Sequence, residues 1–136
     1  MRSRYLISIF FLLILIACGK GTTDDPPIDP MPESNCAKGK LVVKSNCREY
    51  VIQVIQGNIG SSKVTAVWFD LESGVTYNNV FTVSNYCDIT DTLPQGKEFY
   101  FDVLDNNPPQ GCSTCPRTRP MPDKANSIEV KFTPCQ

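Results

Sequence analysis

The chain has 136 residues, a length that permits one domain, and its 13 basic and 14 acidic side chains leave a net charge of −1. That balance gives no reason to expect nucleic acid as a partner. The chain contains no histidine, which excludes Ser-His-Asp and Cys-His catalytic sites, histidine-containing zinc sites and haem attachment through Cys-x-x-Cys-His. We accordingly predict no catalytic residue, no metal and no cofactor, and we expect a protein that is not an enzyme.

Residues 1–17 have the composition of an export signal. Arg2 and Arg4 precede an apolar run over residues 5–17, which is broken only by Ser8. A membrane-spanning helix needs about 20 apolar residues, so this run has signal-peptide length rather than spanning length. The sequence therefore predicts a segment that directs export and does not belong to the folded domain.

The end of this signal, Leu15-Ile16-Ala17-Cys18, resembles the lipobox of bacterial lipoproteins at all four positions. The resemblance implies cleavage before Cys18 and acylation of Cys18, which anchors the protein to a membrane through its lipid. Residue 19 is Gly rather than Asp, which favours the outer membrane over retention in the inner one. Whether the protein faces the periplasm or the cell surface stays open. The alternative is a cleaved soluble secretory protein in which Cys18 is incidental.

Residues 18–35 join the lipidated cysteine to the domain. This stretch is rich in Gly, Thr, Asp and Pro, and prolines fix φ and remove backbone donors. We predict a semi-extended tether. A proline-rich recognition motif is the alternative.

Residues 36–136 read as an all-β domain, because apolar and polar residues alternate in short runs separated by turn signals. The second and third runs are apolar on both faces, so we expect them to be central or covered. In the last run we expect Ile128, Val130 and Phe132 to face the core. The predicted fold is a small antiparallel β-sandwich, with a small barrel as the alternative. The six predicted strands cover residues 40–44, 49–56, 63–70, 79–84, 98–104 and 127–133.

One local motif refines this prediction. The sequence Leu93-Pro94-Gln95-Gly96-Lys97-Glu98-Phe99-Tyr100-Phe101 resembles the turn-into-strand corner of fibronectin type III and related immunoglobulin-like domains. Phe99 stands where that pattern has an inward tyrosine, and the proline comes one place early. The resemblance implies an immunoglobulin-like sandwich and nothing about function.

Six cysteines follow Cys18, and an even number in an exported small domain predicts three disulfides among fifteen pairings. We favour Cys36–Cys135, because the first and last strands of a sandwich often lie close together. Elimination then leaves Cys47–Cys87 and Cys112–Cys115. The Cys-x-x-Cys spacing of Cys112 and Cys115 has a second interpretation, a redox pair for thiol–disulfide exchange.

A long loop over residues 105–126 contains five prolines and two of the cysteines. Loops of this length are usually functional or disordered. Arg117, Arg119 and Met121 are the candidate partner-binding residues, and they suggest a docking or protease-inhibitor-like loop; an ordinary solvated loop is the alternative. The leading prediction is a non-enzymatic, lipid-anchored envelope lipoprotein that binds an unknown protein or glycan or has a structural role.

Overall fold

The computed structural model describes residues 33–89, 93–113, 115–116 and 119–135. The predicted signal peptide, Cys18 and most of the predicted tether lie outside these ranges. Within them no helix is long and apolar enough to cross a membrane. The predicted all-β class is confirmed. The elements are β1 (Cys36–Lys44), β2 (Tyr50–Gln56), a 3₁₀ turn (Ser61–Lys63), β3 (Thr65–Asp70), β4 (Val75–Val83), β5 (Glu98–Leu104) and β6 (Ala125–Lys131).

The six strands form one mixed sheet in the order β2-β1-β5-β6-β4-β3. A further pairing between β2 and β4 closes five of them into a circuit and leaves β3 attached to β4 alone. The prediction of purely antiparallel pairing is wrong for one pair, because β4 and β6 run parallel at Thr82–Ala125 and Val83–Asn126. Parallel neighbours need a crossover connection, and here the chain between them includes β5 and the long loop after it.

The main hydrophobic core lies on the inner face of this circuit. Along β5 the side chains of Phe99, Phe101 and Val103 are buried there, as the alternation predicted. Phe81 meets Phe101 with ring centroids 5.7 Å apart. The other buried members of the cluster are Ala37, Leu41, Tyr50, Ile52, Ile59, Val83, Ile89 and Ile128.

A second, smaller cluster lies on the opposite face of β2 and β4, which explains why β2 is apolar on both faces. It contains Val42, Val43, Val51, Trp68 and Val80, with Tyr77 and Met121 packed against it. Asn79 has a positive φ of 54°, and this left-handed residue allows Tyr77 and Val80, three apart, to reach the same cluster. The prediction that β2 and β3 would be central or covered holds for Val51 and Trp68, but it is wrong for the other face of β3, an edge strand on which Val67 and Phe69 are exposed.

Strand boundaries differ from the prediction at the end of the chain. Strand β6 ends at Lys131, and the side chain of Phe132 is 98% exposed, so its predicted place in the core is wrong. The physical reason is the bond at Cys135. Strand β6 runs along β5 from Leu104 toward Tyr100, the partner of Lys131. Cys36, which bonds to Cys135, lies back at the level of Asp102. The chain must therefore leave the strand after Lys131 and turn back to reach Cys36.

Three disulfides brace the domain, and one predicted pair is among them. Cys36 bonds to Cys135, with Cα atoms 5.7 Å apart. The pairs obtained by elimination are wrong. Cys47 bonds to Cys115 and Cys87 to Cys112, with Cα separations of 5.1 and 5.7 Å. The loop passes Cys87 first, where the backbone N–H of Cys112 points at its sulfur, and then reaches the β1–β2 connection at Cys47.

Candidate functional site: an apolar cleft on β5 and β6

A cleft of about 700 Å³ opens beside β5 and β6. One wall is the segment that follows β4, including Asn85 and Ile89, and the turn at Leu93 and Pro94 closes another side. Asn85 holds its wall in place, because its side-chain amide forms two hydrogen bonds with the backbone of Ile128 on β6. The remaining lining residues are Lys38, Asp88, Lys97, Glu98, Phe99, Tyr100, Leu104, Glu129, Val130, Lys131 and Phe132.

The floor of the cleft is apolar. Ile89, Phe99 and Ile128 line it while also belonging to the main core, and Leu93 and Val130 pack against that core. Side chains fixed by core packing give a floor that is formed before any ligand arrives. Ligand pockets have this character, mostly hydrophobic and largely pre-formed, with a few polar groups at fixed places.

The rim of the cleft carries paired charges. Lys38 Nζ lies 2.7 Å from Glu98 Oε2 and 5.9 Å from the centre of the Tyr100 ring. Its hydrogen bond to Glu98 raises the pKa of Lys38, and the same bond lowers the pKa of Glu98. Each charge is therefore held in its ionised form by the other, which fixes two long side chains across the β1–β5 pair.

A second set of paired charges lies on β6. Lys131 Nζ is 2.9 Å from Asp102 Oδ2 and 3.3 Å from Glu129 Oε2. The hydrogen bonds to these carboxylates, Asp102 first, raise the pKa of Lys131. Next to Lys131 the exposed ring of Phe132 forms part of the mouth of the cleft. The mouth thus offers one unburied aromatic ring among charges that already satisfy one another.

Ion pairs account for most of the charged groups that line the cleft. Its described ionisable groups are lysines, carboxylates and the phenol of Tyr100, and four of the charged ones, Lys38, Glu98, Glu129 and Lys131, take part in the ion pairs given above. In the described part of the chain no group of three or more Cys, Asp or Glu side chains is placed to hold a metal ion. The cleft offers a ligand an apolar floor and the exposed ring of Phe132 at its mouth.

The predicted partner-binding residues lie elsewhere, and the two described ones point inward. Arg119 is only 14% exposed in its side chain and pairs with three carboxylates. Its guanidinium lies 3.4 Å from Asp70 Oδ1 and 3.8 Å from Glu49 Oε2, and it also pairs with Glu72. Met121 packs against the second cluster, which includes Trp68. Arg117 lies outside the described residues.

The Cys112 and Cys115 pair does not form a bridge of its own. Cys112 bonds to Cys87 and Cys115 to Cys47, so the two cysteines of the Cys-x-x-Cys spacing belong to separate disulfides. The redox interpretation required these two sulfurs to exchange one bond between them. In this structure the spacing instead fastens the loop at two points.

Sequence reasoning did not find the cleft. Its wall at Asn85 and its rim at Lys38 and Glu98 come together only through strand pairing across the sheet. The one sequence signal was Phe132, an aromatic residue at the end of an alternating run, and it was assigned to the core.

No protein-family model, curated protein or solved structure matches this chain.

Proposed function

We propose that this chain is a lipid-anchored lipoprotein of the bacterial cell envelope whose disulfide-braced β domain is a non-enzymatic binding module. The ligand site is the cleft on β5 and β6. The observation that supports the proposal is a pre-formed apolar cleft of about 700 Å³, large enough for a small molecule or a few side chains. A ligand with an apolar or aromatic body fits its floor and its exposed Phe132.

The anchor is the part that rests on sequence alone. The four residues ending at Cys18 support outer-membrane attachment through lipid, and no described residue bears on it. The test is metabolic labelling of the wild-type chain and a Cys18→Ser variant with a fatty-acid analogue. The label should disappear in the variant, which should also keep its signal peptide. A wild-type chain that takes up no more label than Cys18→Ser and lies in the soluble fraction would remove the lipoprotein proposal and leave a soluble exported protein.

Ligand binding is tested separately on the exported Cys18→Ser chain, titrated with 1-anilinonaphthalene-8-sulfonate and followed by NMR. Saturable shifts should map to Ile89, Leu104 and Ile128. Phe132→Ser should weaken the binding by about threefold to tenfold, because an aromatic contact is lost. Phe69→Ser is the matched control, since Phe69 is also exposed but lies on β3. Shifts that map to other regions would contradict the assignment of the cleft.

The immunoglobulin-like sandwich stays a prediction that rests on the corner at residues 93–101, and the proposed function does not depend on it. The docking-loop alternative also stays a prediction. One of its two cations, Arg119, is paired with carboxylates of its own chain, so we do not favour it.

A further inference from the structure

Exposed apolar side chains concentrate on one hairpin. Among the described residues six large hydrophobic side chains are exposed, and four of them lie on β3, β4 or the turn between them. Val67, Phe69 and Leu71 alternate along the chain and are 64%, 52% and 66% exposed. We call these three the β3 stripe. Exposed apolar residues are normal when scattered singly, whereas a contiguous group marks an interaction site.

The strand that bears the stripe is also an edge strand. Strand β3 ends the order of the sheet, and its one described strand partner is β4. A free edge presents unpaired N–H and C=O groups, and proteins usually block it with lysine, proline or a bulge. The sequence Thr65–Asp70 contains no lysine or proline, its register with β4 is unbroken, and its one charge, Asp70, is buried.

The two ends of this edge carry opposite charges. At the Thr65 end lies Lys124, whose backbone N–H donates to the Thr65 hydroxyl at 3.1 Å. At the other end is Glu72, whose side chain is 64% exposed and pairs with Arg119 of its own chain; with Asp70 and Glu49 also on that one cation, this end keeps a net negative charge. If two such edges pair antiparallel about a two-fold axis at Trp68, Val67 of one copy lies opposite Phe69 of the other. The same operation brings the Lys124 end of each copy to the Glu72 end of its partner.

We propose that β3 is a self-association surface and that its occupant is the β3 strand of a second copy of this chain. The pairing is antiparallel, joins the two sheets edge to edge, and sets Val67 and Phe69 of each copy beside Phe69 and Val67 of the other on one face of the joined sheet. An isologous contact of this kind uses the same patch twice and closes on itself, so it yields a dimer rather than a fibre. The charges at the two ends fix the register.

The test is sedimentation equilibrium of the mature full chain in density-matched detergent over a range of protein concentrations. The expected result is a monomer–dimer equilibrium. Phe69→Lys should raise the dimer dissociation constant at least about tenfold, because the cation replaces the apolar cross-strand contact between Phe69 and Val67 of the other copy in both halves of the dimer. Phe132→Lys is the matched control, the same substitution at an exposed phenylalanine away from β3, and it should leave the constant within about twofold.

A charge exchange tests the register. Lys124→Glu and Glu72→Lys should each weaken the dimer, and the two together should restore it, because each copy again meets the opposite charge. Retention of the three disulfides and of the far-ultraviolet circular dichroism spectrum verifies that each variant is folded. If Phe69→Lys does not fold, Val67→Lys replaces it as the test of the contact. The proposal is overturned by a chain that stays monomeric at every concentration, by oligomers that grow past the dimer, or by equal effects of Phe69→Lys and Phe132→Lys.

Discussion

The side-chain amide of Asn85 pairs with the backbone of Ile128 as a strand residue would. Asn85 Nδ2 donates to the carbonyl of Ile128 at 2.7 Å, and the N–H of Ile128 donates to Asn85 Oδ1 at 2.8 Å. Asn85 is 2% exposed and follows the last residues of the parallel β4–β6 pair. The Asn85 side chain thereby continues the hydrogen-bond pattern of the β4–β6 pair after the backbone pairing has ended. It also holds the wall of the cleft against β6.

Replacing Asn85 with alanine should lower the free energy of unfolding by about 2–4 kcal/mol, because a buried N–H and a buried C=O both lose their partner. Urea unfolding with the disulfides intact measures the change. Asn106→Ala, at an exposed position in the long loop, is the control and should change stability by less than about 0.5 kcal/mol. Equal effects of the two substitutions would show that the amide is not what joins this segment to β6.

Gly39 is required by close packing inside the circuit. A Cβ at this position would lie 2.7 Å from Ile52 Cγ2 and 2.8 Å from Phe101 Cε1. Gly39→Ala should therefore destabilise the domain by about 1–3 kcal/mol, the usual cost of overpacking a core. Thermal unfolding measures the effect. Gly111→Ala is the matched control, since its Cβ would meet no atom within 4 Å. An unchanged midpoint in Gly39→Ala would contradict the close approach of β1, β2 and β5.

The disulfide assignment predicts which sulfur is released when one cysteine is removed. Cys47→Ser should leave Cys115 as the free thiol, whereas the pairing expected from sequence would free Cys87. Alkylation of the purified variant under non-reducing conditions, followed by fragment mass spectrometry, locates the label. Cys36→Ser gives the internal check, since it should free Cys135. A label on Cys87 or Cys112 in the Cys47→Ser variant would refute the assignment.

Arg119 neutralises carboxylates that the fold has already buried. Glu49 and Asp70 are nearly inaccessible, so Arg119→Met leaves charge in the protein interior without its cation. We expect a loss of about 2–4 kcal/mol in the free energy of unfolding, within the range seen when one partner of a buried ion pair is removed. Glu72→Gln is the comparison, and it should cost less than about 1 kcal/mol because exposed ion pairs contribute little. Similar losses in both variants would contradict the inward role of Arg119.

The rim pair of the cleft should be visible in a titration. Lys38 lowers the pKa of the Glu98 carboxyl, so Glu98 should titrate below the ordinary glutamate range in the folded protein. The contribution of the pair to stability is present above the unfolded-state pKa of Glu98 and is lost as the pH falls through the lower, folded-state pKa. Carboxyl ¹³C NMR measures this, and Lys38→Met should return Glu98 toward its ordinary value. Lys131→Met, which removes a cation that does not pair with Glu98, is the control and should leave the pKa of Glu98 lowered.

Local pattern predicted the strands well where alternation was regular. Strand β5 begins and ends where the sequence indicated, because Phe99, Phe101 and Val103 alternate with polar neighbours. The start of β4 was missed because its asparagines, Asn78 and Asn79, read as a turn, and a left-handed Asn79 indeed interrupts the alternation inside the strand. The first residues of β1 were missed because Gly39 is a poor strand former, and only its contacts with neighbouring strands explain it.

The candidate site could not be predicted from the sequence for a different reason. Lys38 and Glu98 are 60 positions apart, and no local rule pairs them before the β1–β5 register is known. The same limit applied to the disulfides. Cys36–Cys135 followed from the neighbourhood of the two chain ends, whereas the other two bridges depend on the path of the loop over the sheet.

The bond between Cys36 and Cys135 has a mechanical consequence. A pull applied through the segment before residue 36 and through the end of the chain passes across this one covalent bond and bypasses nearly all of the sheet. Stretched between those points, the oxidised domain should lengthen by only a few residues, and the strands should carry almost no load. After reduction the same pull would act on β1 and β6 directly and draw the whole domain out. The bridge therefore keeps tension along the chain from reaching the folded strands.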